Sequence, residues 1–305
     1  MTRRTLLVVG GLATIYLVWG STYLGIALAI ETMPPLLMAG VRFLLAGAIL
    51  YLLAGGLRAR PSRSDWVFAL VTGGLMLAVG NGGVSWAQQT VPSGIAALVI
   101  ATIPLWIAIL DRFLFGARLS PLALAGIVLG FGGVAILLDP RGAVDPAGGA
   151  VLLVAAVGWS LGTLLTRGRA PGLPPLAAAG MQMLCGGSVL VLGAAAGGEL
   201  GDVRVSEFSA TSIGALAYLV VFGSLVAFSA YVWLLRNANV SLISTYAYVN
   251  PVVAVLLGSA FLDEEMTART VLAGGIVVAA VALIVTARMP VRVPRLPRLA
   301  AARGR

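Results

Sequence analysis

The sequence predicts an all-α integral membrane protein: ten transmembrane helices arranged as two inverted five-helix repeats around a central cavity. Three observations predict it. The 305 residues are 60% hydrophobic and 10% charged, with a mean hydropathy of +1.03, more apolar surface than one water-soluble core can bury. The apolar residues gather in runs close to the roughly 20 residues that a helix needs to cross a hydrocarbon layer. The second half of the chain also repeats the first.

In chain order the ten runs are residues 5–29, 35–56, 66–89, 93–115, 120–138, 148–166, 175–196, 212–235, 241–262 and 268–287. Each is continuous rather than alternating and about twice the length of a barrel strand, so helices are predicted. Arg3 and Arg4 ahead of an apolar run also fit a secretory leader. Cleavage there would leave nine helices and break the charge pattern, so the run is expected to remain as the first helix.

The net charge of +9 would point to nucleic acid in a soluble protein; here its distribution reports orientation, and no nucleic-acid partner is expected. Of 20 Arg and no Lys, 16 Arg fall at the N-terminus, the tail and every second junction, among them Arg58, Arg60, Arg63, Arg112, Arg118, Arg167, Arg169 and Arg236. The alternate junctions hold Arg141, Arg204 and Arg269 with nine of the eleven acids: Glu31, Asp139, Asp145, Glu199, Asp202, Glu207, Asp263, Glu264 and Glu265. Both termini are therefore expected in the cytoplasm, in agreement with an even helix count. Residues 288–305 carry six Arg and three Pro and are expected to be a disordered tail resting on anionic lipid. With no His and a single Cys, Cys185, the usual zinc clusters and an intrachain disulfide are excluded, and no metal or cofactor is expected.

The repeat is clearest where "PPLLMAGVRFLLAGAIL" (34–50) aligns without a gap on "PPLAAAGMQMLCGGSVL" (174–190), with eight identities in seventeen. Chance gives about two or three in such Ala/Leu/Gly-rich segments. The offset of 140 pairs Trp19 with Trp159; it becomes 147 later, pairing Trp86 with Trp233 and Pro104 with Pro251, through a seven-residue insertion between helices 7 and 8. The predicted division is a first repeat at 1–146, a second at 147–287 and the tail. Five helices per repeat is an odd number, so the second enters the membrane upside down. Such bundles can exchange conformations and open a midplane site to either side.

That site takes its candidate residues from several helices. Arg42 lies seven residues into helix 2, roughly 10 Å inward at about 1.5 Å per residue and past easy snorkelling distance. It should face protein or water, either clamping a carboxylate or phosphate or tied to helix-end carbonyls or Glu31. Its repeat partner Gln182 is polar too. Helix 1 presents Tyr16, Trp19 and Tyr23 at helical spacing, and helix 3 presents Asn81, Ser85 and Gln88. Helix 6 offers Trp159 with Thr163; helix 9 carries Ser241, Ser244, Thr245 and Tyr248 on one face, Tyr246 and Asn250 on another. Pro104 and Pro251 each remove a backbone donor, leaving either carbonyls freed toward a substrate or a tolerated packing kink. Trp66 and Trp86, near helix ends, fit an interfacial belt. Gly126 and Gly130, echoed by Gly275 and Ala279, suit close packing inside the chain or, less simply, a homodimer seam.

These segments carry a resemblance. "WGSTYLGIALAIETMPPLLMAGVRFLLAG", "LAVGNGGVSWA", "VPSGIAALVIATIPL" and "STYAYVNPVVAVLLGSAFLDEEMT" are similar to EamA-type members of the drug/metabolite transporter superfamily, and within it to the YedA-like branch. The resemblance spans roughly residues 12–287. It implies a ten-helix bacterial inner-membrane exporter of small metabolites or drugs, with helices 1–4 and 6–9 around the cavity. The family's Trp-Gly-Ser segment falls on Trp19, Gly20 and Ser21, its helix-2 Arg on Arg42 and its Asn-Pro on Asn250 and Pro251. The family Glu before the last helix of each repeat is present as Glu264, but its first-half position is Ala117.

The expected partners are thus a small-molecule substrate and the lipid bilayer. Every acid maps to a junction, so either export is facilitated or its coupling runs through an edge acid such as Glu31 or Glu264. An intramembrane enzyme would need a nucleophile with a base, paired acids or a metal site, and no such cluster occurs. The alternative is a multipass scaffold or sensor that transports nothing.

Overall fold

Backbone polar groups have no water to bond inside lipid, which dictates helices for a chain this apolar. The computed structural model describes residues 3–138, 144–167, 172–201, 203–238, 240–243 and 245–286. Asp139, Arg141, Arg169, Asp202, Ser244, the side chains of Arg167, Arg236 and Ser241, and the 288–305 tail lie outside the described residues. Among the described residues the apolar helices of 16 residues or more are, in order, α1 (Arg3–Ile30), α2 (Pro35–Leu53), α3 (Arg63–Ala87), α4 (Ser93–Phe115), α5 (Pro121–Leu137), α6 (Pro146–Thr166), α7 (Pro175–Ala196), α8 (Ala210–Leu235), α9 (Tyr246–Phe261) and α10 (Ala268–Thr286). Eight are long and apolar enough to cross a membrane; α5 and α9, with 17 and 16 residues, are shorter.

Local chemistry sets the boundaries. Proline opens α2, α5, α6 and α7, where its missing N–H costs nothing and its fixed φ suits a first turn. Ser62, Ser120 and Ser209 cap α3, α5 and α8 by accepting the amides of Asp65, Ala123 and Ser212. The run predicted to reach residue 56 ends at Leu53, because Gly55 turns the chain at φ +73°. The run at 93–115 is two segments, Ser93–Ile100 and Ile103–Phe115, since Pro104 cannot donate across the break and the amides of Leu105 and Trp106 both return to Thr102. A separate turn, Val240–Ile243, precedes α9.

Small residues bring the helices together, as they must where lipid removes the hydrophobic drive for association. The aligned glycines of α2 and α7 meet each other: a Cβ on Gly40 would lie 3.2 Å from the Gly187 carbonyl, and one on Gly187 3.0 Å from the Gly40 carbonyl. Further along, a Cβ on Gly47 would lie 3.0 Å from the Gly180 carbonyl, while one on Gly180 would meet the backbone of Tyr51. On α5, Gly126, Gly130 and Gly133 face Ala280, Leu105 and Val277, so this stripe packs inside the chain, whereas Gly275 and Ala279 are exposed. Helix α2 packs on α7, α5 on α10, α4 on α9 and α3 on α7; α1 packs on α8 and α9, as α6 packs on α3 and α4.

Two widened π-helical stretches interrupt α3 at Gly74–Asn81 and α8 at Leu219–Val226. The connections alternate between the two ends of the bundle. One end gathers the turns after α1, α3, α5, α7 and α9, tied by Thr32 to Ser209, Thr90 to Asp145, Glu199 to Leu37 and Glu264 to Gly94. The opposite end holds the turn after α2 with Arg58, Arg60 and Arg63, and Arg4 donates there to the Asn237 carbonyl at 3.2 Å. We call these the acidic and the basic end.

Candidate functional site

Arg42 is only 4% exposed, between α2 and α8. Its Nε donates to Ser224 Oγ at 3.0 Å, and its guanidinium carbon lies 4.8 Å from the Phe43 ring centroid. Among the described residues no carboxylate pairs with it, Glu31 included, and its two terminal nitrogens donate to no described group. A charge in the membrane costs about 2.5 kcal/mol or more, and one hydroxyl with one aromatic face offsets only part of that. The guanidinium therefore retains donors in the planar fork that suits a carboxylate or phosphate.

An aromatic cluster adjoins it. Trp19 donates from Nε1 to the Gly223 carbonyl at 3.2 Å, within the π-helical stretch of α8, next to the Ser224 that holds Arg42. Such stretches frequently coincide with functional sites, because the widened turn frees a carbonyl from its own helix. The Trp19 ring lies 5.2 Å from both Tyr231 and Tyr246, edge-on to the latter. Tyr16 hydrogen-bonds Thr245, and the Asn250 amide, nitrogen turned toward them, reaches the carbonyls of Tyr16 and Tyr246 at 3.2 Å. Pro251 removes the next amide of α9, and Gly20 lets α1 close on this turn: its Cβ would lie 2.6 Å from Val253 Cβ. The structure thus gathers Tyr16, Trp19, Arg42 and Asn250 at the meeting of α1, α2, α8 and α9.

The remaining sequence candidates lie elsewhere. Gln182 donates to Thr72 at 2.9 Å, between α7 and α3. Trp159 packs beside Gly80 in the π-helical stretch of α3, as Trp19 does beside Gly223, while Thr163 turns its hydroxyl back to the Trp159 carbonyl. Tyr23 packs against the apolar cluster that includes Ile26, Ala29 and Met38. Among the described residues the hydroxyl of Ser85, a residue 1% exposed, and both amide atoms of Gln88 have no hydrogen-bond partner, and Asn81 makes no side-chain bond. Tyr248 packs into the apolar cluster of α4, α5 and α10, so Tyr246 rather than Tyr248 meets Trp19. Pro104 opens the second segment of α4, where Ser160 donates to the Ile103 carbonyl at 3.2 Å. Ser224, Gly223 and Tyr231 escaped the sequence reading; "VFGSLVAFSAY" hides a polar serine in an apolar run.

At the acidic end, carboxylates cap helix starts. Glu199 accepts the amides of Leu36 and Leu37 at 3.2 and 2.9 Å, and Glu264 those of Ser93 and Gly94 at 2.5 and 3.0 Å. The Gly148 amide and then the Thr90 hydroxyl hold the Asp145 carboxyl below the usual carboxylate range. A cavity of about 370 Å³ beside Glu264 is bordered by Pro92, Val255, Glu265, Thr267 and Arg269. At the basic end an open groove of about 620 Å³ runs over Arg63, Val67, Phe68 and Leu165.

Comparison with known proteins places this architecture. The EamA-like transporter family model matches the chain twice, over residues 7–139 and 147–286. The chain is 41% identical over 288 residues to the inner membrane transporter YedA of Escherichia coli (strain K12), covering 92% of each. It is 30% identical over 254 residues to protein PecM of Dickeya dadantii (strain 3937), covering 82% of each. A solved crystal structure at 23% identity shares the fold with a TM-score of 0.62, over 92% of this chain and 95% of that chain. The chain belongs to the EamA-like transporter family.

Proposed function

We propose that this chain is a secondary transporter of the bacterial inner membrane that exports small metabolites or drugs by alternating access. The ten helices form two inverted five-helix repeats, with both termini cytoplasmic, the basic end inward and the acidic end outward. The observation that carries the reading is Arg42: a buried guanidinium with unused donors beside the Trp19, Tyr231 and Tyr246 rings, where helices of both halves meet. A charge held in the membrane without a carboxylate marks a binding site by default. The reciprocal glycine approaches of α2 and α7, and the π-helical stretches facing Trp19 and Trp159, support the two-repeat organisation. The Arg distribution supports the orientation. The printed name of the 41%-identical relative supports the inner membrane. Arg42 favours a substrate bearing a carboxylate or phosphate, and the rings beside it favour an apolar or aromatic remainder.

Purified protein in liposomes, loaded with a panel of labelled organic anions, zwitterions and neutral compounds, tests the reading. Efflux of at least one class is expected, with Arg42→Gln reducing it to the empty-liposome rate while purifying as a monodisperse protein. Absence of flux across the panel would return a scaffold or sensor, and misfolding of Arg42→Gln would make the arginine a structural tie.

A further inference from the structure

We infer that Glu264 is a proton-binding site: its ionised form holds the acidic end of the bundle shut, and protonation from the outer aqueous phase releases it. The inference rests on the transporter reading above and its orientation.

Glu264 lies in the connection between α9 and α10, yet it caps α4, a helix of the other half. Pro92 precedes α4 and has no side-chain acceptor, so the first amides of α4 depend on an outside group. Both carboxylate oxygens supply it, one to Ser93 and one to Gly94. The socket is cut to the carboxylate: a Cβ on Gly258 would collide with Glu264 and Ser93 Oγ, and one on Gly94 would lie 3.4 Å from Glu264 Oε2 and 3.1 Å from Val255. Ser93 Oγ borders the same socket, and the residue is 1% exposed while that oxygen has no hydrogen-bond partner among the described residues. The 370 Å³ cavity borders the carboxylate and leaves room for water beside it. The charged groups that border this cavity with Glu264 are Glu265 and Arg269, from its own connection and the start of α10. The α4, α5 and α9 residues around it, Gly94, Ile95, Leu137 and Val255, carry no charge. Arg269 itself donates to the Ile136 carbonyl.

An ionised carboxylate only accepts, which matches two converging N–H groups and the positive end of a helix dipole. The neutral acid turns one oxygen into an O–H donor aimed at an N–H donor, so one tie is lost and the other weakened. The orphaned Ser93 Oγ, which borders the same Gly258 face, is an unused acceptor that the O–H reaches once the carboxyl turns away from the Ser93 amide. What is released is one short segment: Ser93–Ile100 is separated from the rest of α4 by the break at Ala101 and Thr102. Glu264 stands at the outward end and exchanges protons with one side alone, so it gates and does not carry the coupled ion. The corresponding first-half position is Ala117, so the basic end lacks the same carboxylate.

Hydrogen exchange followed by mass spectrometry, on the full chain in nanodiscs, tests this without a transported substrate. Spectra are taken across the pH range in which carboxyl groups titrate and corrected for intrinsic exchange. In the wild type the Ser93–Ile100 amides are expected to be protected at neutral pH and to exchange about tenfold faster in acid, while α5 is unchanged. Glu264→Gln should exchange fast at both. Ser93→Ala keeps the ionised ties but removes the acceptor for the acid, so its acid transition should fall at lower pH. Protection of this segment that ignores both pH and Glu264→Gln overturns the inference; if that variant does not fold, the wild-type acid transition and its shift in Ser93→Ala decide. Flux in liposomes with no change in exchange removes the proton site and leaves the transporter standing. Acid release without flux of any compound does the reverse.

Discussion

Arg42 separates charge from shape at the residue scale. Its Nε is committed to Ser224 and its other nitrogens meet no partner among the described residues, so a lysine keeps the charge but loses the planar fork that presents donors to Ser224 and a substrate oxyanion at once. Arg42→Lys is expected to retain a measurable part of the liposome flux with a raised KM; flux equal to the wild type would show that charge alone suffices. Asp145 shows a carboxylate acting on stability instead. Gly148 and Thr90 lower its pKa in the folded protein, so its contribution is full above the unfolded-state value and is lost as pH falls through the lowered folded value. The melting temperature of Asp145→Asn should therefore trail the wild type most at neutral pH and meet it in strong acid, and a gap that ignores pH would contradict this.

Packing at the element scale depends on close backbone approach, and α2 against α7 is the sharpest case. A Cβ on Gly47 would lie 2.8 Å from the Leu184 amide nitrogen, so Gly47→Leu must push the two helices apart. A loss of about 1–3 kcal/mol is expected in denaturant unfolding from detergent; unchanged stability would place the crossing elsewhere. This crossing was half legible in the sequence: the alignment of 34–50 with 174–190 paired Gly40 with Gly180 and Gly47 with Gly187, but not the fact that α2 and α7 touch. Helix positions were legible because lipid imposes both length and composition. Arg42, Trp19 and Asn250 stood out because polar or bulky groups are rare in such runs. Ser224 and the Gly223 carbonyl did not, since a π-helical stretch leaves no signature in "LVVFGSLV" and a backbone acceptor has no residue type. The spacing put Tyr246 on the face of Asn250, where it meets Trp19, but not the packing of Tyr248 against α4, α5 and α10, because which neighbour a helix face meets is set by tertiary packing. The capping roles of Glu199 and Glu264 were hidden by distance, since their partners lie more than 160 residues away in the chain.

At the scale of the whole molecule, alternating access requires two halves that enter the membrane in opposite senses and meet at one chamber. The ties at the acidic end join Glu199 to α2, Glu264 to α4 and Thr90 to Asp145, whereas Arg4 to Asn237 is the corresponding bond described at the basic end. Inverted entry is open to direct measurement. In a Cys185→Ala background, single cysteines at the exposed positions Leu57, after α2, and Leu200, after α7, are treated with a membrane-impermeant maleimide on spheroplasts and on inverted vesicles. Leu200→Cys should label from outside only and Leu57→Cys from inside only; labelling of both from the same side would contradict the two opposed halves.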